Sequence, residues 1–256
     1  MSEWVIGRNP ILELLRADRR RVHKIHVARG SEERGALARL LALAHERKIP
    51  VSRVAHEDFN TVQGNHQGVM AEVTPYPYMT VEDILDIAQT KGELPWILIL
   101  DGIQDPQNLG ALLRSAEAVG VHGVVVPYRG SSGITPAVVR ASAGASEYLF
   151  VTRANLAQAI DKLKKADVWV AGLENSAQAV LLEEVDLPDS LALVVGSEGQ
   201  GMRRLVRESC DYLIRIPMRG WVESLNASVA GAIALYAIWR QHGYVGAHTP
   251  GAERRG

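Results

Sequence analysis

Cysteine is almost missing from this chain, for Cys210 is the only one in 256 residues. No disulfide can close within the chain, and a reducing compartment, the cytoplasm, is the expected home. Cys210 stands between a helical stretch and an apolar strand, where a small buried thiol is the ordinary reading and a nucleophile the exceptional one. Phenylalanine is nearly as scarce, with two in the chain, so aliphatic side chains must build the core. No apolar run reaches the ~18 residues of a membrane span. The N-terminus has no basic-plus-apolar leader pattern. The eight histidines lack H-x-x-x-H spacing and cysteine pairs are absent, so no metal site is expected. Charge of one sign is missing too: 28 Lys and Arg face 29 Asp and Glu.

The balance hides an asymmetry. Up to Thr74 there are 12 basic and 9 acidic residues, and the remainder holds 16 against 20. A mildly basic module is joined to a mildly acidic one. Arg16, Arg19, Arg20, Arg21, Lys24, Arg29 and Arg34 crowd one stretch, either as a solvated surface or as a docking surface for phosphate.

Patterning divides the chain similarly. In the first part, Asn9-Pro10 reads as a capping residue and first helical position before Ile11, Leu14 and Leu15. KIHVA, PVSRVA and GVMAEV read as strands, and Glu32–Arg47 as a helix. Residues 1–75 therefore form a small α/β module. Residues 76–94 read as a linker, with Pro75, Pro77 and interleaved tyrosines ahead of a weak amphipathic helix at Val81–Ala88. Residues 95–243 alternate strands (WILILD, GVVVP, YLFV, VWVAG, LALVV, YLIRI) with helices beginning near Asn108, Thr135, Asn155, Gly201 and Ser224. Strands without polar alternation indicate a parallel sheet covered on both faces. Residues 244–256 read as a frayed, glycine-rich tail.

Three strand-end clusters carry the chemistry. The first, GSEGQGM after LALVV, invites a phosphate-binding reading and refuses it. Its order is G-x-x-G-x-G, no G-K-[ST] follows, and Glu198 would repel pyrophosphate. A neutral or cationic ligand held by backbone groups fits better. The second is IPMRGWVESLN, in which Ser224 and Asn226 read as helix caps or as ligand contacts. The third, DGIQDPQNLGALLR, places Arg114 between Gly110 and Ala118 on one helical strip, open to a bulky anionic ligand or paired with Glu117.

Taken together, NLGALLR (108–114), LVVGSEGQGM (193–202) and IPMRGWVESLNASVA (216–230) resemble the three motifs of the SpoU/TrmH-type RNA 2′-O-ribose methyltransferases of the SPOUT class, in order and spacing. VIGRNPILELL and GNHQGVMAEV are similar to that family's substrate-binding module. Trp221-Val-Glu223 departs from the smaller side chains more common there. The resemblance implies a ribosomal-protein-like RNA-binding domain before a catalytic domain with a deep trefoil knot. It further implies S-adenosylmethionine as cofactor, a homodimer with a shared active site, and a guanosine of 23S ribosomal RNA as target. A tRNA or resistance-type rRNA methylase is the runner-up. A catalytically silent RNA-binding protein and an oxidoreductase are the rivals from other classes, the latter disfavoured by the missing dinucleotide fingerprint. On the same basis Arg114, Asn108, Glu198, Ser224 and Asn226 are the catalytic candidates. Gly196, Ile216, Leu225, Gly199 and Met218 are the cofactor candidates, and Arg19, Arg20, Arg21, Lys24 and His66 the RNA contacts.

Overall fold

The computed structural model describes residues 2–62 and 64–248. Its first module is a four-stranded sheet with two helices on one face. The elements run β1 (Glu3–Ile6), α1 (Arg8–Ala17), β2 (Val22–Ala28), α2 (Ala36–Glu46), β3 (Val51–Val54) and β4 (Val69–Val73), with strand order β1-β4-β2-β3. Ile11, Leu14 and Leu15 of α1 meet Leu37 and Leu40 of α2 over Val5, Ile25 and Val27. The start of α1 differs from the sequence reading. Asn9 lies inside the helix, and Gly7, at φ +100°, is the cap. The cause is non-local: Arg8 N–H donates to Gln67 Oε1 at 3.0 Å, so the first turn needs no asparagine.

The expected linker is largely part of the second module. Tyr76 is buried, and its hydroxyl donates to the Leu149 carbonyl at 2.6 Å. Thr80 caps α3 (Val81–Lys91), whose Ile84 lies on Gly123 in the core. The two prolines do mark extended chain, but Tyr76 between them is buried, as are Val81, Ile84 and Ala88 of α3, which proline punctuation cannot reveal.

The second module continues with β5 (Trp96–Asp101), α4 (Pro106–Ala118), β6 (Gly123–Pro127), α5 (Pro136–Ala141), β7 (Phe150–Ala154), α6 (Leu156–Lys165), β8 (Trp169–Leu173), β9 (Val180–Leu181), β10 (Leu191–Gly196), α7 (Arg204–Glu208), β11 (Tyr212–Arg215) and α8 (Ala227–Gln241). The sheet runs β7-β6-β5-β10-β8-β11-β9, with every pairing parallel. Strand β5 and strand β10 are wholly buried, as apolar runs without alternation require. After β11, near one edge, the chain returns to the middle, where α8 packs on α4 and β10. Gly231 makes this approach feasible, because a Cβ there would collide with Leu112 of α4.

The two modules are joined through charge as well as apolar contact. Arg20 has no exposed side-chain surface and pairs with Glu147 at 3.2 Å and Glu3 at 2.6 Å. Its Nε donates to the Thr74 carbonyl at 2.8 Å. Arg19 donates to the carbonyls of Glu147 and Leu149 and lies 4.2 Å above the Phe150 ring. These two arginines are therefore structural ties between modules, and neither is presented to RNA as the sequence suggested. Burial pushes the Glu147 carboxyl above the usual carboxylate range, with Arg20 opposing it.

The start of the expected tail is ordered. Tyr244 packs edge-on against Trp239 at 5.0 Å, and Trp239 Nε1 donates to the Val245 carbonyl at 2.9 Å. Residues 249–256 lie outside the described part. Among the described residues, no helix is long and apolar enough to cross a membrane, and no group of His, Cys, Asp or Glu is arranged to hold a metal ion.

Candidate active site

Open parallel sheets bind ligands beyond the carboxyl ends of their strands, near the point where strand order reverses. Here β5 sends the chain outward through β6 and β7, and the later strands fill the other side. Three loops converge at that crevice, following β5, β10 and β11.

Each loop delivers one polar side chain. The sequence places the start of α4 near Asn108, but Asp105 is its cap, its Oδ1 accepting from the N–H groups of Gln107 and Asn108 at 2.8 and 2.9 Å. The Asn108 amide is thereby released, and Nδ2 donates to Glu198 Oε1 at 3.0 Å. Asn226 caps α8 through its Oδ1, which accepts from Ser228 N–H and Val229 N–H. Its Nδ2 donates to Asn108 Oδ1 at 3.0 Å and to Glu198 Oε1. The Ala227 N–H also reaches Glu198 Oε1, at 3.4 Å. One carboxylate oxygen thus gathers three donors and fastens three loops together. Hydrogen bonds to an ionised acceptor are the stronger kind.

The β10 loop is shaped by its glycines. A Cβ on Gly196 would collide with the backbone of Gly201 and Met202, because the loop folds back on the end of its own strand. Ser197 and Gly201 exchange backbone hydrogen bonds at 3.1 and 2.9 Å. Gly199 at φ +76° and Gly201 at φ +65° hold left-handed backbone inside that turn. The loop's far end is fixed by Asp101, a buried residue whose carboxylate accepts from Arg203 N–H and Nε, both at 2.7 Å. Sequence reasoning missed this pair, although a charge closing the apolar run WILILD was a signal for it.

The other candidates are spread around the cluster. Ile216, Met218 and Leu225 are half-buried along the β11 loop, whereas Ser224 is exposed and is neither the α8 cap nor a member of the cluster. The loop's tip is Trp221, which is fully exposed. Behind it, Asn175 Nδ2 donates to the Glu223 carbonyl at 2.8 Å. Cys210 sits to the side with its thiol donating to the Val206 carbonyl, and burial pushes that thiol up to about 12. It is a packing residue, as its position in the sequence suggested.

Arg114 does not join the cluster. It is exposed and makes no hydrogen bond or ion pair with any described residue. Six residues of helix carry it about 9 Å along α4 from Asn108 and roughly 120° round the axis.

Among the RNA candidates, Arg21 is exposed and Lys24 is half-buried, paired with Glu72 at 3.1 Å and lying over the Trp4 ring. His66 stacks on Phe59 with ring centroids 4.5 Å apart, and its Nδ1 accepts from the Gly68 N–H at 3.0 Å. Burial, with His56 nearby, lowers its pKa.

A parallel-sheet module whose strand-end loops meet at Glu198, preceded by a module that matches a substrate-binding family, belongs with the RNA methyltransferases of the SpoU/TrmH kind. Residues 95–236 match the model of the SpoU rRNA methylase family, and the chain belongs to that family. Residues 4–79 match the model described as RNA 2′-O ribose methyltransferase substrate binding. YacO of Bacillus subtilis, named for the TrmH family of tRNA/rRNA methyltransferases, is 42% identical over 95% of this chain and 98% of its own. The 23S rRNA (guanosine-2′-O-)-methyltransferase RlmB of Pseudomonas putida is 40% identical over 93% of this chain and 96% of its own. Among solved structures, an RNA 2′-O ribose methyltransferase superposes with TM-score 0.75 at 27% identity, covering 94% of this chain and 89% of that one. The fold is shared with AviRb of Streptomyces viridochromogenes, solved with AdoMet, at TM-score 0.77 and 24% identity over 94% and 90% of the two chains.

Proposed function

We propose that this protein methylates the 2′-hydroxyl of a guanosine ribose in 23S ribosomal RNA, using S-adenosylmethionine. The observation that carries this reading is the joining of three loops by Glu198, Asn108 and Asn226 at the carboxyl ends of the sheet. The loop cluster suits the cofactor. Its loop is closed by glycine backbone where a Cβ cannot enter, and its charged group is a carboxylate, which favours a cationic nucleoside and repels pyrophosphate. Backbone groups at Gly196, Gly199, Ile216, Met218 and Leu225 would hold it, and its sulfonium supplies an activated methyl group.

What remains for the chain is alignment and management of one proton. Arg114 presents a planar fork suited to a phosphate. A guanidinium is too weakly acidic to serve well as a base, so its role is to hold the RNA phosphate beside the ribose and stabilise charge developing on the 2′-oxygen. The proton passes to that phosphate, or to an Arg114 left transiently neutral away from water. Because Arg114 faces away from the cluster of its own chain, we read the site as shared between two copies. The exposed stripe Val229, Ile233 and Tyr236 on α8 offers the surface for that pairing. We also read the return of α8 over β10 as the closure of the trefoil knot, and the cytoplasm as the place of action.

Glu198→Ala is expected to weaken cofactor binding by at least ~10-fold, since hydrogen bonds to a charged acceptor contribute roughly 1.5–3 kcal/mol each. Calorimetric titration checks this, and an unchanged Kd would remove the cluster from the pocket. The function itself is tested by incubating the full chain with unmodified ribosomal RNA and tRNA and methyl-labelled cofactor, then mapping the label. A 2′-O-methyl guanosine in 23S rRNA supports the reading. Label confined to tRNA, on a base, or in neither RNA overturns it.

A further inference from the structure

With Arg19 and Arg20 committed to the joint between modules, the first module must meet RNA elsewhere. We propose that it grips an RNA loop in a cationic cleft formed by Arg8, Arg29, Arg34, His56 and His66, an assignment that rests on the RNA substrate proposed above.

The cleft consists of two adjoining depressions of about 530 and 510 Å³, which share Arg8 and Gln67. The first lies between the opening turns of α1 and α2, walled by Arg8, Asn9 and Arg34. The second passes Arg29 and Ser31 to His56 and His66. Among the described residues, no carboxylate lines either depression. Arg8, Arg29 and Arg34 line the cleft, while Glu32 beside it pairs with Arg34 and Glu33 with Arg53. A lining with three arginines and no carboxylate is a surface that a polyanion neutralises and few other ligands would.

The arginines are differently prepared. Arg8 is fixed by the 66–68 turn, its Nε donating to the Gln67 carbonyl at 3.1 Å, while its two Nη groups make no hydrogen bond with described residues. Arg29 is exposed, and its side chain makes no hydrogen bond or ion pair with described residues. Arg34 has one neighbour, Glu32 at 3.5 Å, and both side chains are largely in solvent. Such a pair contributes at most about 1 kcal/mol and yields readily to a phosphate. Neither α1 nor α2 has a capping side chain on its own N-cap glycine or an acid in its first turn.

The second depression adds rings. His66 is stacked on Phe59, and His56 stands edge-on to it at 5.0 Å. Sequence-specific RNA recognition favours unpaired bases stacked on such rings, with phosphates held alongside. The arginines take phosphates, and the histidine pair takes a base.

The test uses the full chain and a 23S rRNA fragment, with RNA binding measured separately from methyl transfer. Arg29→Ala/Arg34→Ala, which removes no packing, is expected to raise the RNA Kd roughly tenfold and to lower the salt slope by about 1.4, at ~0.7 per phosphate contact to a single strand. KM for RNA should rise accordingly, with kcat at saturating RNA and affinity for S-adenosylmethionine retained. Arg21→Ala/Lys24→Ala gives the rival surface its chance, and Lys162→Ala/Lys165→Ala on α6 sets the effect of lost charge alone. If the Arg29/Arg34 pair binds RNA as the wild type does, or loses no more than either comparison pair, the cleft is wrong. Should the wild type bind RNA through these residues but transfer no methyl group, the proposed reaction fails and the cleft stands.

Discussion

Arg114→Ala is expected to abolish methyl transfer to RNA, with turnover falling by at least ~10²–10³, the loss seen when a preorganised donor to developing negative charge is removed. Affinity for S-adenosylmethionine should stay within a few-fold, because Arg114 touches none of the loop cluster and no described residue depends on it. The helix will not suffer either, since the side chain is exposed and alanine is the better helix former. Single-turnover methylation and calorimetry separate the two effects. Arg114→Lys adds a finer reading. It retains the charge and loses the fork, so partial recovery would point to simple attraction, and none to bidentate phosphate recognition. Near-normal turnover of the alanine variant would remove Arg114 from the chemistry altogether.

The second large effect concerns stability. Arg20→Met should destabilise the protein by about 3–5 kcal/mol, because it leaves Glu147 buried without its cation. At roughly 2–4 °C per kcal/mol for a chain of this size, the melting temperature should fall by about 6–20 °C. Adding Glu147→Gln should recover most of the loss, since removing both members of a buried pair is far cheaper than removing one. The pH dependence has a definite sign. Burial already holds the Glu147 pKa above its ordinary value, and loss of Arg20 raises it further. A raised carboxyl pKa means the folded state binds the proton more tightly, so stability falls as pH rises from the usual carboxylate range through the folded pKa. The deficit of Arg20→Met should therefore be largest at neutral pH and shrink on acidification. A deficit that is flat with pH, or a double variant as unstable as the single, would show that the pair does not behave as a buried ion pair.

These residues also show what could be read in the chain and what could not. The apolar strands and their glycine-bearing ends announced themselves, because burial on both faces leaves no polar alternation and a loop folding back on its strand needs glycine. The positions of Glu198, Asn108 and Asn226 were legible as polar residues at three strand ends. That they meet on one carboxylate oxygen was not, since it depends on the crossing of elements 28 to 118 residues apart. Asn108 misled for a related reason: two acceptors, Asp105 and Asn108, stand at the same helix start, and the first one takes the cap. Arg19 and Arg20 misled more seriously. A basic run looks like a solvated face in any linear reading, and only a partner 127 residues away turns it inward. Residues 76–94 looked like a spacer because Pro75 and Pro77 at their start are visible in sequence and the burial of Tyr76 is not.

The tie through Arg20 and Glu147 makes the protein a ruler. With the modules tied to each other by this pair, the gap between the proposed RNA cleft and the Glu198 cluster is set by the fold. Which nucleotide is marked then follows from how the RNA itself folds across that gap, so a transcript with the right sequence but altered spacing should go unmarked.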